Sequence, residues 1–178
     1  MPIQPTAERA YARLEYDSAM YLALNGVPIG GNLKWPEFAR LASTTGFGGV
    51  DLMLGPALAD GVETTRALLE GLHLRPAFAS LPVEFRKDED AFRAGLAKLE
   101  EVAPFCAAVG CPRMMTYIMP SSDTPKDELR QTYKQRFTES ARILARSNVR
   151  LGLEFLGPLE LRRAVSYTHL TLPTIYSV

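Results

Sequence analysis

Short apolar runs alternate with longer stretches of three- and four-residue hydrophobic spacing along this chain. The runs "AMYLALN" (Ala19–Asn25), "GGVDLML" (Gly48–Leu54), "LRPAFAS" (Leu74–Ser80), "RMMTYIM" (Arg113–Met119) and "VRLGLEF" (Val149–Phe155) have the length of buried strands. Between them lie helical patterns. "WPEFARLASTTG" places Pro36 in a first turn and Gly46 at a C-terminal stop. "GVETTRALLEG" predicts a short helix ending at Gly71. From Asp88 to Val109, the residues Phe92, Leu96, Leu99, Ala103 and Cys106 form one apolar stripe, with Asp88, Glu89 and Asp90 at the positive end of the helix dipole. Leu129, Tyr133, Phe137, Ala141 and Leu144 form the stripe of a further helix. Pro76 weakens the third strand, because it cannot donate to a ladder.

Strand and helix in strict alternation predict parallel strands joined by right-handed crossovers. A doubly wound sheet and a (β/α)8 barrel both fit that order. The nucleotide-binding version of the first needs a glycine-rich turn after a strand. "GFGG" (Gly46–Gly49) stands before one, as a helix exit. A complete barrel takes about 250 residues. The 178 residues here offer about the first four βα units and a fifth strand.

The end of the chain changes the domain reading. From Val165 to Val178 there is no charged residue and no helical period. One permitted back-translation of Val165–Thr174 is GTC TCT TAT ACA CAT CTG ACG CTG CCG ACG, which matches an adaptor left by transposon-based sequencing-library preparation. Residues 1–163 are therefore expected to be the N-terminal portion of a barrel, and 164–178 a non-native, adaptor-derived tail; His169 carries no functional weight. The expected fold class is α/β, a partial TIM barrel.

Lys plus Arg (20) equals Asp plus Glu (20), which gives no electrostatic footprint for nucleic acid or an anionic membrane surface. The N-terminus lacks an apolar signal region, and no apolar run approaches a membrane span. A cytoplasmic location is expected. Cys106 and Cys111 lack the spacing and neighbours of a zinc site and read as reduced packing residues.

Two motifs carry a family resemblance. "WPEFARLASTTGFGGVDL" resembles the first helix and second strand, and "RLGLEFLGP" the fifth strand, of the sugar phosphate isomerase/epimerase family with a xylose-isomerase-like barrel. The resemblance runs from about Met20 to Arg163. It implies a divalent metal ion (Mn, Co, Mg or Zn) held by Glu, Asp, His and Glu from successive later strands. The first of these ligands matches Glu154, and the other three would lie beyond this chain. In epimerase members a second Glu follows six residues later and contacts substrate; Glu160 has that spacing, although "FLGPL" between them departs from the epimerase pattern.

Strand alternation reaches Glu154 independently. Val149, Leu151, Leu153 and Phe155 share one face, and Arg150, Gly152 and Glu154 the other. Apolar residues face the helices of a barrel, so Glu154 points inward at the C-terminal end of its strand, where barrel enzymes build their sites. A buried carboxylate there needs a cation or an arginine partner. Asp51 should also face inward and is expected to pair with a basic group. Asn25 could touch substrate or turn the chain. His73 and Trp35 read as structural.

The expected activity is isomerisation or epimerisation of a small sugar or polyol ketone by proton abstraction next to a carbonyl, with Glu154 as ligand and base and Glu160 at the substrate. The fragment alone is expected to be inactive. Alternatives are a dehydratase on the same barrel and a metal-free binding module. A related DNA-repair endonuclease would need histidines after the third and fourth strands, where this chain reads "ASLP" and "YIMPSS". Neither nucleic acid nor membrane is expected as a partner; assembly into a homo-oligomer is left open.

Overall fold

The structure, a computed structural model, describes residues 21–27, 33–119 and 122–156. The elements run β1 (Ala23–Leu24), α1 (Trp35–Thr44), β2 (Gly49–Leu52), α2 (Leu54–Gly71), β3 (Arg75–Ser80), α3 (Glu89–Ala108), β4 (Arg113–Ile118), α4 (Lys126–Arg146) and β5 (Arg150–Phe155). The five strands form one parallel sheet in the order β1-β2-β3-β4-β5. Sequential order with a helix after each of the first four strands is the winding of a barrel wall. A doubly wound sheet would reverse its order part-way. The fold is α/β and matches a partial TIM barrel. Glu160 and the expected tail 164–178 lie outside the described residues.

All four helices pack on one face of the sheet. Val50, Leu52, Ala79, Met114 and Ile118 from the strands meet Phe38, Ala42, Leu69, Phe92, Leu99, Cys106 and Leu144 from the helices in one core. The α3 stripe anticipated from spacing is that core's centre: Phe92 and Leu99 are fully buried. Asp88 caps α3, its carboxylate accepting from the Ala91 N–H at 2.8 Å. In α1, Pro36 sits in the first turn, and the Glu37 carboxylate accepts from the Lys34 N–H at 3.3 Å. Each helix returns to its strand through one left-handed residue: Gly46, His73, Gly110 and Asn148, with φ of 84°, 54°, 75° and 56°. His73 thus turns the chain at the end of the sheet away from the strand C-termini. Trp35 is buried at the start of α1. Both cysteines are buried without a disulfide.

Several boundaries differ from the sequence expectation. The described part of β1 spans only Ala23–Leu24, because its ladder with β2 covers just two residue pairs. β2 ends at Leu52, since Met53 already caps α2. That helix begins at Leu54, seven residues before the anticipated start. Gly61, at φ 81°, kinks it, and only the part beyond the kink shows the pattern that the sequence reveals. Pro76 lies within a strand flanked on both sides. A register irregularity between Val50 and Leu52 absorbs it, and its carbonyl accepts from the Tyr21 hydroxyl at 2.8 Å.

The segment between β3 and α3 is held firmly. Arg136 of α4 donates to the carbonyls of Phe85 (2.8 Å) and Lys87 (2.6 Å) and pairs with Glu89 at 3.2 Å. Gly95 lets α3 approach this segment closely; a Cβ there would lie 2.9 Å from the Val83 Cα. The segment lies just beyond the C-terminal end of β3 and so borders the candidate site.

Candidate functional site

The face of the sheet opposite the helices carries the polar residues. Met115 pairs with Gly152 and Tyr117 with Glu154, so these four share a face. Ser80 pairs with Met115 and joins them. Asp51 lies between the buried Val50 and Leu52 and takes the same open face of β2. Asn25, one residue beyond β1, lines a cleft with Asp51 and Ser80. Five consecutive strands therefore bring Asn25, Asp51, Ser80, Tyr117 and Glu154 to their C-terminal ends. The other end of this face carries Arg113 and Arg150, which pair in register, and Arg75 opposite Gly49.

Glu154 is exposed. The five strands form an open wall, and no described element covers Glu154 from across the sheet. Among the described residues it makes no ion pair. Arg150 is four residues away along the strand, roughly 13 Å at about 3.3 Å per residue. Tyr117, its neighbour on β4, is held from above. The Arg86 guanidinium lies 4.5 Å from the Tyr117 ring centroid and 4.4 Å from that of Phe85, and donates to the Tyr117 carbonyl. Nothing in the sequence periodicity marks Arg86, which follows β3 in an irregular segment.

The cleft at the ends of β1, β2 and β3 has a volume of ≈ 420 Å³. Phe38, Leu52, Met53 and Phe78 form its apolar walls, with Asp51, Asn25 and Ser80 as polar groups. Asn25 does both things considered for it: its side-chain oxygen accepts from the Val27 N–H at 2.7 Å and turns the chain, and it lines the cleft. Asp51 has no basic partner among the described residues, contrary to expectation. The arginines on its face sit at the opposite end of the strands. Burial instead raises its carboxyl from the ordinary 3.8 to about 6, and a hydrogen bond from the Gly26 backbone offsets only part of that.

The Asp51 shift has a consequence for stability. The folded chain holds this proton more tightly than the unfolded chain between 3.8 and about 6. The group is therefore least costly below the unfolded value, and stability falls as pH rises through the folded one. Asp51→Asn retains an acceptor for Gly26 and removes the charge. Thermal melts should show Asp51→Asn more stable than the parent chain at about pH 7.5 and little changed at about pH 4. An equal effect at both values would contradict the buried-carboxyl account.

Comparisons with known proteins place this wall in a family. A profile described as xylose isomerase-like TIM barrel matches residues 38–166. Among solved structures, a xylose isomerase domain protein from Alicyclobacillus acidocaldarius is 26% identical, with a TM-score of 0.71 over 81% of this chain and 53% of that one. The IOLI protein, solved with a bound zinc atom, is 17% identical, with a TM-score of 0.67 over 78% of this chain and 52% of that one. The 3-keto-D-glucoside 4-epimerase YcjR from E. coli is 18% identical, with a TM-score of 0.55 over 66% and 49%. The latter two likenesses are of fold. The comparison with curated proteins finds no match. The chain spans about half the length of these solved relatives. No helix among the described residues is long and apolar enough to cross a membrane. With a profile covering most of its length and the parallel sheet in sequential order, this chain belongs to the xylose isomerase-like TIM barrel family.

Proposed function

We propose that this chain is the N-terminal portion, residues 1–163, of an isomerase or epimerase that abstracts a proton next to the carbonyl of a small sugar or polyol ketone, and that residues 164–178 are not native to it. The observation that carries the reading is Glu154 on the open face at the C-terminal end of β5, in a chain of this family. The epimerase among the solved relatives supports the reaction class.

Glu154 accepts the proton. Its carboxylate lies beside Tyr117 and is bonded to no arginine among the described residues, so it is available to a substrate entering from the open face. Glu160, six residues on, is proposed to contact substrate. A divalent cation (Mn, Co, Mg or Zn) is the proposed cofactor, and the zinc of IOLI supports it. Glu154 is a suitable oxygen ligand, but no group of three His, Cys, Asp or Glu side chains converges among the described residues. The remaining ligands are proposed to come from later strands of the barrel, and the chain alone should not turn over. When bound, the cation would polarise the substrate carbonyl and make the neighbouring proton more acidic.

The test uses the full-length barrel. NMR in deuterated water should show exchange of the substrate's α-proton that stops on chelation and returns with Mn²⁺ or Co²⁺. Exchange indifferent to chelation would remove the metal from the proposal. Absence of exchange with every ketose tried, metal present, would remove the reaction.

A further inference from the structure

We propose that the cleft at the ends of β1, β2 and β3 seats a neutral, hydroxyl-bearing end of the substrate, so that the part bound there carries no phosphate. This rests on the proton-transfer reading above and narrows its substrate class.

The lining decides the charge. Asp51 is a carboxyl within the wall, and no Lys or Arg is among the described residues that line the cleft. A phosphate ester placed here would face Asp51 with no compensating charge from the described lining, in a partly desolvated setting that strengthens the repulsion. One feature favours an anion: α2 begins at the cleft, with Leu54 and Pro56 in its lining. Pro56, however, lacks an N–H, the Ala57 N–H is already bonded to the Met53 carbonyl at 3.0 Å, and Asp51 already sets a negative group on that wall.

The polar groups instead suit hydroxyls. The Asn25 side-chain oxygen is engaged by Val27, which leaves the amide nitrogen to donate. The Ser80 hydroxyl donates and accepts, and Asp51 accepts when ionised. A polyol offers one donor and two acceptor sites at each carbon. Its C–H edges fit the walls formed by Phe38, Met53 and Phe78. The volume of ≈ 420 Å³ lies within the usual small-ligand range of roughly 300–1,000 Å³.

Saturation-transfer difference NMR tests this with the 178-residue chain and two probes. D-fructose is neutral; D-fructose 1,6-bisphosphate has phosphate at both ends and cannot offer a neutral terminus. At equal concentration D-fructose should give a signal about five-fold stronger or more. Asp51→Ala should lower the D-fructose signal by a similar factor, and Ser80→Ala by less. Asp51→Asn, which keeps hydrogen-bonding capacity without the charge, should narrow the gap between the probes. Trp35 fluorescence checks that each variant is folded. The proposal is overturned if the bisphosphate binds as well as D-fructose, if D-fructose gives no signal, or if its signal ignores both Asp51 and Ser80. These readouts need no turnover, so a failed α-proton exchange and a failed cleft remain distinguishable.

Discussion

Glu154→Gln in the full-length barrel is expected to abolish α-proton exchange while leaving the fold intact. Glutamine has nearly the same shape and volume as glutamate, so packing around residue 154 should survive the change. An amide cannot accept the proton at neutral pH, and it is a weaker oxygen donor to a divalent cation than a carboxylate. Loss of a positioned general base alone costs about 10²–10⁴-fold in rate. Weaker metal affinity should add to that. The measurement is exchange in deuterated water at saturating metal, alongside a calorimetric metal titration. Exchange at the parent rate with metal bound would show that Glu154 is neither base nor essential ligand. Glu160→Gln should be milder and raise KM more than it lowers kcat.

Phe92→Ala should produce the largest loss of stability. Phe92 is fully buried in α3, with the Arg136 guanidinium 4.8 Å from its ring centroid. Truncating a buried phenylalanine to alanine typically costs about 3–5 kcal/mol, transfer and cavity terms together. A domain has only about 5–15 kcal/mol of stability in total. The variant should therefore lose a large fraction of the parent's stability and unfold at a much lower urea concentration. The chain has one tryptophan, Trp35, and it is buried, so its fluorescence follows urea unfolding directly. A midpoint shift equivalent to less than about 1 kcal/mol would mean that the α3 face is not the core.

Alternation of apolar runs and helical stripes was enough to place all five strands, α1, α3, α4 and the α/β class. Those signals are local. A stripe such as Phe92, Leu96, Leu99, Ala103 and Cys106 reflects one buried helix face whatever lies across from it. The first half of α2 was not legible, because "LGPALAD" offers Gly and Pro where helices are read by periodicity, and the Gly61 kink divides the pattern.

The candidate site divides in the same way. Strand alternation by itself put Glu154 and Asp51 on the face away from the helices, because the period of two is a property of extended backbone. It could not tell which side chains meet across strands. Only the register set Tyr117 beside Glu154, and only the shift between Val50 and Leu52 let β3 bring Ser80 to the same rim. The Asp51 environment was likewise a tertiary matter. The arginines that could have neutralised it lie at the far end of the same face, and its neighbours are a backbone N–H and apolar walls. The sequence determined most of the elements and the faces of Glu154 and Asp51, which depend on neighbours in the chain. Register, irregularity and burial decided the company each polar group keeps, because those depend on atoms brought together from distant parts of it.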